Sequence, residues 1–530
     1  MAESIKGCQR EDGSWSAGML GDVSAYPNFE SSGSSFFTYG IASGICNGLL
    51  DQTTYEPTLF KAWNALSGAI NEEGMLRHVQ LTENNAEIYS TGALLAAGSQ
   101  LYKYIREFYP ETIKKDCYTD SVYMHGGGWC WFQSPRAIIS GDKLLIGGLD
   151  GRDGSVRASV YDLKEDKIEG EVILCENFEF DDHDAPAFYI RKDGSILAMW
   201  AKHWKEHTHR YRISEIDNYL EWGETKFTVR EVDHNSGVSY MNLYYVEDQG
   251  LLYNFFRDGK TYNPTFMTSA DEGESWSAKT HLIINEVDGR NRPYAIYQQT
   301  DKNTIGISYT DAHPRNYGNS LYYIEFRDGK FYSEDGSFVA DLKDGPLPTT
   351  KGDKLYTGSE TKVKPAGSDS VPNSSWNCTI SQDADKNPYI GYTVHFSNSD
   401  HRFRVSNWDG AKWIDREIAY AGNALYAKES SYTGLMAFDP TDPTNVYIST
   451  DVNPSTGADL GGVHEIYYAK IGPNDDITTI EWSAITKESI YGNIRPIVVS
   501  SDDHTVLLWL HGIWTTFNNY DLNVLGLRVR

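Results

Sequence analysis

The hydrophobic positions of this sequence follow two periods, one near the N-terminus and another through the rest of the chain. In the N-terminal part, apolar residues recur at intervals of three and four residues, which is the period of an amphipathic helix. Glycine-rich connections separate the segments that have this period. Three helices are therefore predicted, SSFFTYGIASGICNGLL at 34–50, TLFKAWNALSGAI at 58–70 and STGALLAAGSQLYKYIREF at 90–108.

From residue 118 onward the pattern changes to short alternating or aromatic-rich runs, separated by turns such as RDGS, RKDGS, EDQG and RDGK. This spacing is typical of a radially repeated all-β fold. At roughly 50 to 60 residues for each sheet, it predicts about seven blades. The predicted fold class is mainly β, a seven-bladed β-propeller at residues 118–530 after a small α-helical segment at residues 1–112. The stretch 334–370, rich in Gly, Lys, Asp and Pro, is predicted to be a long surface loop.

One turn carries a specific signature. SADEGESW places Ser269, Asp271, Gly273 and Trp276 in the S-x-D-x-G-x-x-W spacing of an Asp box. In such a turn the aspartate can bind backbone amides, the glycine permits the bend and the tryptophan fills the gap between sheets. A degenerate copy, SNWDGAKW, has Trp408 in place of the aspartate. The turn favours a propeller and indicates no particular activity.

The composition excludes two classes of partner. The 530 residues carry a formal net charge of −27, and binding to nucleic acid or to an anionic membrane needs a basic surface, so neither is expected. No apolar run approaches the ~20 residues of a spanning helix, and the first residues, MAESIKGCQREDG, lack the apolar core of a signal peptide. Abundant Gly, Tyr and Trp favour short strands, tight turns and aromatic platforms for sugars.

The helical segment resembles a known hydrolase fold in part. QREDGSW, ESSGSSFFTYGIASGICNGLLD and STGALLAAGSQLYKY are similar to the C-terminal helices of the unsaturated rhamnogalacturonyl or glucuronyl hydrolases, whose fold is a six-hairpin helical toroid. The resemblance implies that the catalytic aspartates of that family lie upstream of the matching helices. The segment 1–112 is therefore predicted to be non-catalytic.

The remaining chain resembles the bacterial-neuraminidase-repeat propellers that include the ulvan lyases. Seven segments carry the resemblance in order: GGWCWFQSPRAI, DDHDAPAFYIRKDGSILAMWAKH, VSYMNLYYV, LLYNFFRDG, RPYAIY, YTDAHPRNYGNSLYY and NIRPIV. It implies a polysaccharide lyase that cleaves rhamnose- and uronate-containing anionic polysaccharide, sulfated or not, by β-elimination beside the uronic acid. Ulvan is the expected substrate, no cofactor is required, and a secreted or periplasmic location is expected.

Such a reaction needs three kinds of group. The C5 proton of a uronate is a weak acid while the neighbouring carboxylate is charged, so a cation must neutralise that carboxylate, a base must take the proton and an acid must protonate the departing O4. The resemblance assigns Arg257 as the neutraliser, His183 and His203 as active-site histidines and Tyr240 as a catalytic tyrosine. His183 then takes the proton and Tyr240 protonates O4, or the two roles are exchanged.

Other positions in the matching motifs are candidates for substrate binding. Taken alone, each is also explained by a structural role: His183 as a partner of Asp181 or Asp182, His203 as an exposed strand end, and the others as inter-blade hydrogen bonds. The sequence departs from the family pattern at Leu243, where a proline is expected. The candidates are Asn242, which should share a strand face with Tyr240, and Arg292, Tyr294, His313 and Arg315.

Metal binding is left open by the sequence. The cysteines show no paired spacing, so a zinc module is not indicated. His203, His207 and His209 cluster in HWKEHTHRYR, but no carboxylate or thiol stands at a suitable spacing. A structural calcium or zinc ion stays an unassigned alternative.

Three other functions remain as alternatives. An exo-acting rhamnose-glucuronate lyase or rhamnosidase on arabinogalactan side chains would use a propeller of similar outline. A sialidase-like hydrolase would need three arginines, for which Arg136, Arg257 and Arg292 are candidates, although SPRAII has its proline before the arginine. A non-catalytic glycan-binding propeller would use the aromatic surface alone. Fold alone does not choose among them.

Overall fold

The computed structural model describes most of the chain and divides it into two units, residues 1–115 and 116–530. The predicted boundary at residues 113–117 lies outside the described residues. These are 2–19, 29–71, 76–78, 88–109, 122–230, 237–258, 262–285, 292–361 and 370–529.

Helices make up the first unit. Asp51 caps one of them by accepting a 2.8 Å hydrogen bond from the Thr54 backbone N–H, which satisfies a donor that the helix itself leaves unpaired. The helices enclose an apolar core that includes Trp15 and Leu59, both buried. The helices among the described residues are α1 (Ala2–Gly7), α2 (Ser31–Cys46), α3 (Gln52–Gly68) and α4 (Ile88–Phe108).

The three predicted helices are confirmed as α2, α3 and α4, with ends displaced by a few residues. Helix α1 was not predicted, because six residues are too few to display a helical period. Among the described helices, none combines the length and the apolar character that crossing a membrane requires.

The second unit is a seven-bladed β-propeller. Its described strands form seven sheets of four to six strands, which follow one another along the chain, and one further sheet of two strands, β15 and β21. The first three blades are β2–β5, β6–β10 and β11–β14. With the strand that precedes them, these strands are β1 (Val122–Met124), β2 (Ala137–Ser140), β3 (Lys143–Leu149), β4 (Val156–Asp162), β5 (Lys167–Cys175), β6 (Ala187–Ile190), β7 (Ile196–Trp200), β8 (Thr208–Glu215), β9 (Asn218–Trp222), β10 (Lys226–Val229), β11 (Ser239–Val246), β12 (Leu251–Asp258), β13 (Asn263–Ser269) and β14 (Thr280–His281).

The fourth blade carries an insertion. The prediction of a surface loop over 334–370 is wrong for its first part, because three strands lie there; residues 362–369 are outside the described residues. The glycines and prolines of this stretch mark turns between short strands rather than one long loop. The strands are β15 (Ile283–Ile284), β16 (Ala295–Gln299), β17 (Ile305–Thr310), β18 (Leu321–Arg327), β19 (Lys330–Tyr332), β20 (Phe338–Asp341), β21 (Leu347–Pro348) and β22 (Asp353–Tyr356).

The last blade joins the two ends of the propeller. Strand β1 pairs antiparallel with the C-terminal strand, with Val122 opposite Leu525. The ring is thus closed by backbone hydrogen bonds between the start and the end of the unit. The strands of blades five to seven are β23 (Ser374–Gln382), β24 (Pro388–Ser397), β25 (Asp400–Trp408), β26 (Trp413–Gly422), β27 (Met436–Asp439), β28 (Asp442–Thr450), β29 (Glu465–Lys470), β30 (Ser483–Ala484), β31 (Gly492–Ser500), β32 (Thr505–Thr516) and β33 (Asn519–Arg528).

The S-x-D-x-G-x-x-W turn follows β13. Asp271 Oδ1 accepts hydrogen bonds from the Ser269 hydroxyl at 2.7 Å and the Ser275 backbone N–H at 2.8 Å. Gly273 has φ +98°, and a Cβ there would approach Leu197 to 2.6 Å, so no larger residue fits. The turn therefore ties the third blade to the second.

The connection between β1 and β2 holds the inner ends of neighbouring blades together. The Cys130 backbone N–H donates to the Asp182 carbonyl at 2.9 Å. The Ser134 backbone N–H donates to the Met241 carbonyl at 3.2 Å. One segment thus links the second and third blades, which supply the residues of the candidate site.

Candidate active site

The two histidines of the opening motif are brought together by a short helical turn and the end of a strand. Asp182–Asp184 form one 3-10 turn, which Asp181 caps by accepting the His183 backbone N–H at 3.1 Å. His203 follows β7, and its backbone N–H donates to Asp184 Oδ1 at 2.8 Å. The two imidazoles consequently stack, with centroids 4.0 Å apart and planes 6° from parallel.

A single carboxylate orients both rings. Asp181 Oδ1 lies 2.6 Å from His183 Nδ1, and Asp181 Oδ2 lies 3.1 Å from His203 Nδ1. A carboxylate accepts hydrogen bonds and donates none when ionised, so each Nδ1 carries its proton toward Asp181. The Nε2 atoms are then the groups that each ring can offer to a substrate.

The stacked rings have opposite ionisation tendencies. Burial lowers the pKa of His183, but its neighbours, among them the ionised Asp181, outweigh burial and raise it well above its usual value. Burial and the neighbouring His183 lower the pKa of His203 to about 4. Burial raises the pKa of Asp181, and the two imidazoles reverse that effect, so the net pKa is lowered. At neutral pH the pair therefore holds one charged ring, His183, and one neutral ring, His203.

Tyr240 stands at an irregular point of β11. The pairing of β11 with β12 shifts register between Ser239 and Asn242, and Tyr240 adopts φ +62°. A positive φ at a residue of this size costs on the order of 1–3 kcal/mol, and the surrounding structure has to hold it. The phenol ring lies 5.6 Å from His183 and 5.9 Å from His203 between centroids. Burial raises the pKa of Tyr240 well above its usual value, so the phenol is protonated.

Arg257 is a buried cation that has no carboxylate partner in the described part of the chain. It lies opposite Ser239 in the ladder, and its guanidinium carbon is 4.7 Å from the Tyr240 ring centroid and 4.8 Å from that of Tyr294. Its Nη2 is 3.5 Å from His203 Nε2, while Nε and Nη1 are buried and have no hydrogen-bond partner among the described residues. Only 6% of Arg257 is exposed. A buried charge without an ion pair is costly, so this position is suited to an anionic ligand.

A second arginine shares an aromatic ring with the first. The Tyr262 ring lies 5.2 Å from the Arg257 guanidinium and 5.4 Å from that of Arg292. Tyr262 was not predicted, because it directly follows a turn sequence and belongs to no apolar run. Arg136, the third arginine considered for a sialidase, instead donates to the Cys130 carbonyl at 3.1 Å, so only two of the three flank the same ring.

His313 and Arg315 meet an acid from a distant blade. Glu429 Oε2 lies 3.7 Å from His313 Nε2, and Arg315 forms an ion pair with Glu429 Oε1. Burial lowers the pKa of His313 to about 4. Burial raises the pKa of Glu429, but the hydrogen bond and charge of His313 and the charge of Arg315 lower it overall, to about 2. The charge of Arg315 is thus already compensated, unlike that of Arg257.

Asn242 lines a small pocket together with Tyr240 and Arg257, and its side chain also holds the backbone of neighbouring strands. Its side-chain amide donates to the Phe132 carbonyl at 3.0 Å and to the Phe255 carbonyl at 3.1 Å, and the residue is buried. The register shift beside Tyr240 breaks the strict alternation on which the shared face was predicted. Both amide hydrogens serve the backbone. Leu243, where a proline was expected, donates its backbone N–H to the Ser134 carbonyl at 3.0 Å, a bond that proline cannot make.

Aromatic residues from the last two blades complete the surroundings of the histidines. The Phe517 ring meets His183 edge-on with centroids 5.4 Å apart, and Tyr426 lies 6.2 Å from Phe517. Trp514 donates to Asp182 Oδ2 at 2.9 Å, and Arg495 donates to the same oxygen at 2.5 Å. These residues were not predicted as site residues, since they lie far from the histidine motif in the sequence.

The histidine trio considered for a metal does not assemble. His207 Nδ1 lies 2.6 Å from an Arg230 nitrogen, and His209 is fully buried against Phe256. Among the described residues, two other groups bring ligand atoms within 4.8 Å of one another. Both share His183, whose Nδ1 lies 2.6 Å from Asp181 Oδ1. The groups are Asp181, His183 and His203, and Cys130, Asp182 and His183.

The fold and the cluster define the class of protein: a seven-bladed β-propeller that holds a histidine, tyrosine and arginine cluster at its second and third blades. The model of the BNR repeat-containing family matches residues 145–421. The chain belongs to this family.

The N-terminal unit has a separate likeness. The Glycosyl Hydrolase Family 88 model matches residues 1–94. The unsaturated 3S-rhamnoglycuronyl hydrolase of Formosa agariphila is 38% identical over 111 residues, covering 19% of this chain and 29% of that protein. The enzyme of the same name from Alteromonas sp. strain LOR is 32% identical over 108 residues, covering 19% and 26%. The chain thus spans less than a third of these curated relatives.

The predicted resemblance to such hydrolases is confirmed by these matches. Its description as a C-terminal part is corrected, because the matched residues form the N-terminal end of this chain.

Solved structures show the same propeller fold. A PL25 ulvan lyase, described as a new family of polysaccharide lyase, has a TM-score of 0.54 at 13% identity, over 77% of this chain and 94% of that chain. The structure of such a lyase bound to -[GlcA(1-4)Rha3S]- has a TM-score of 0.53 at the same identity and coverage. At this identity the likeness shows the fold alone.

Proposed function

We propose that this protein is a polysaccharide lyase that acts on uronate-containing anionic polysaccharide. The observation that carries the proposal is Arg257, a guanidinium that is 6% exposed and has no carboxylate partner among the described residues. It lies beside a histidine and beneath a protonated phenol. A uronate carboxylate would supply the missing anion and bring its C5 proton next to these groups.

In the proposed reaction, Arg257 first neutralises the substrate carboxylate. Neutralisation acidifies the C5–H bond, because the charge that develops when the proton leaves is shared with the carboxyl group. The C5–H bond then breaks, the C4–O4 bond breaks, and a C4=C5 double bond forms. The proton passes to an imidazole, and O4 leaves with a proton from an acid.

Ionisation favours one assignment of acid and base. Tyr240 is protonated at neutral pH and is therefore the acid that protonates O4. His203 is neutral, and its Nε2 lies 3.5 Å from Arg257, beside the position where the carboxylate would bind. We assign His203 as the base. His183 is charged, which disfavours it as the base, and we assign it to stabilise the enolate-like intermediate through its Nε2.

The finer substrate assignment rests on two supports. The N-terminal unit resembles hydrolases that are named for unsaturated rhamnoglycuronyl sugars, and a lyase leaves such an unsaturated sugar on its product. Propellers of similar fold are named ulvan lyases. We therefore propose ulvan as the substrate, and a secreted or periplasmic location, where such a polymer is encountered. No hydrolase activity is proposed for residues 1–115.

An absorbance assay tests the proposal. The full chain is incubated with ulvan, gum arabic and pectin while the ultraviolet absorbance of a C4=C5 double bond and the release of reducing sugar are followed. A rise with ulvan that disappears in Tyr240→Phe and Arg257→Gln supports the proposal. Reducing sugar without absorbance would show a hydrolase, absorbance with gum arabic alone would show a lyase of arabinogalactan side chains, and binding without either signal would show a glycan-binding propeller.

A further inference from the structure

A cavity of about 480 Å³ lies on the axis of the propeller. The innermost strand of each blade contributes to its wall, from Ile138 of β2 to Val499 of β31. Its volume is within the range of small-molecule sites, which is about 300–1,000 Å³. Arg257, His183 and His203 are not among its lining residues, so it is distinct from the candidate active site.

The charged residues on the wall of this axial cavity are both cations. Arg136 and Arg495 line it, and no carboxylate from the described part of the chain does. Arg495 is fully buried and pairs with Asp182 through Nη1 at 2.5 Å, but its Nε and Nη2 are buried and have no hydrogen-bond partner among the described residues. Arg136 Nη1 donates to the Cys130 carbonyl at 3.1 Å, and Arg136 forms no ion pair with a described carboxylate.

The cavity wall is thus positively charged, although the chain as a whole has a net charge of −27. Desolvation lowers the pKa of Arg136 to about 10, which shows that its surroundings disfavour the charged form. The apolar walls, which include Ile296, Met436 and Ile497, keep the local dielectric low and strengthen any ionic contact made inside. Ser381 also lines the cavity, and its buried hydroxyl has no partner among the described residues. It can donate to an anion.

We propose that the axial cavity is a binding site for a small oxyanion, held by the guanidinium of Arg136 and by the unpartnered nitrogens of Arg495. Carboxylate, sulfate and phosphate groups share the oxygen pair that a guanidinium binds in bidentate fashion. The site does not depend on the proposed lyase activity, because it shares none of the groups assigned to the reaction.

Isothermal titration of the full chain tests the site. Sodium sulfate, sodium phosphate and sodium acetate are titrated separately at one ionic strength, which is set with sodium chloride. We expect saturable one-site binding of at least one of them. Losing a charge-assisted contact should raise the Kd in Arg136→Gln by about ten- to hundredfold. Arg136→Lys, which keeps the charge without the fork, should bind with an intermediate Kd. Arg257→Gln removes the cation of the candidate active site, so the binding that this variant keeps belongs to the axial cavity. Arg327→Gln, at an arginine that pairs with Glu325 and does not line the cavity, is the matched control and should bind as the parent does.

Crystals soaked in sodium selenate give a second measurement that does not depend on the variants folding. Selenium scatters anomalously, and the expected peak lies between the guanidinium groups of Arg136 and Arg495. The proposal is overturned if no oxyanion binds saturably, if Arg136→Gln and Arg136→Lys bind as the parent does, if binding is lost in Arg257→Gln alone, or if the selenate peak lies outside the cavity.

Discussion

His183 and His203 stack face to face, with ring centroids 4.0 Å apart, and share the carboxylate of Asp181. Stacked imidazoles disfavour a second positive charge, since like charges at this distance repel. One carboxylate can compensate one of them. The pair therefore works as a unit whose charge is fixed by Asp181, with the charge on His183 and the lone pair on His203.

Replacing Asp181 should uncouple this pair. In Asp181→Asn one amide oxygen accepts and the amide nitrogen donates, so only one of the two Nδ1–H groups keeps its acceptor and the other ring is driven to the wrong tautomer. We expect kcat on ulvan to fall by about 10²-fold or more. Steady-state kinetics measures this, with Asp193→Asn, a substitution at an exposed turn aspartate, as the matched control. An Asp181→Asn variant with the parent kcat would contradict the assignment.

Arg257 and Arg315 should not contribute equally to the proposed reaction. No described carboxylate pairs with Arg257, whereas Arg315 is compensated by Glu429. Arg257→Gln should lower kcat/KM by about 10²- to 10³-fold, because it removes the neutraliser. Arg315→Gln should act mainly on KM, by less than tenfold. Comparable losses of kcat in both variants would argue against Arg257 as the neutraliser.

Removing the Tyr240 hydroxyl should lower the activity much more than the thermal stability. It forms no hydrogen bond with another described residue, so Tyr240→Phe removes a proton donor without removing an internal bond. We expect activity to fall by about 10²- to 10⁴-fold, with the thermal midpoint changed by no more than a few degrees. Differential scanning calorimetry and the absorbance assay on one preparation test this. A large loss of thermal stability would indicate a structural role for the hydroxyl.

The site residues that could be predicted from the sequence are those that lie in local motifs. His183 and His203 lie in one sequence segment, and the resemblance of that segment to the ulvan-lyase propellers singled them out, because the local pattern alone also allowed a structural role for each. The propeller itself was predicted from turn spacing, because each blade repeats the same short strands. Long helices were predicted for the same reason, since their period repeats within each segment.

The residues that could not be predicted reach the site through tertiary structure. Glu429 and Phe517 come from later blades, and their proximity to His313 and His183 depends on closure of the ring rather than on any local pattern. The register shift beside Tyr240 was not predicted either, because strict alternation along the strand was assumed. An irregularity of this kind leaves no reliable signal in hydrophobic periodicity.

Buried neutral histidines should make the protein lose stability in acid. Burial, assisted by the charge of Arg230, lowers the pKa of His209 to about 3. An unfolded chain protonates histidine below about 6.5, so between pH 6.5 and 3 the unfolded state binds a proton that the folded state does not. Stability from His209 is thus present above pH 6.5 and is lost as the pH falls, by about 1.4 kcal/mol for each pH unit. His183 acts in the opposite sense. Its pKa is raised in the folded protein, so the stability that it contributes is lost as the pH rises.

Substituting His209 isolates this effect. Both ring nitrogens of His209 lack a partner among the described residues, and the ring packs edge-on against Phe256 with centroids 4.7 Å apart. In His209→Phe an apolar ring takes the place of the unsatisfied groups, so stability at neutral pH should be kept or raised. The decline of the unfolding free energy between pH 6.5 and 4, measured by urea denaturation, should become shallower by up to about 1.4 kcal/mol per pH unit. Val229→Ala, at an exposed residue without an ionisable group on the neighbouring strand β10, should leave the slope unchanged. Equal slopes in His209→Phe and the parent would mean that His209 is already protonated in the folded protein.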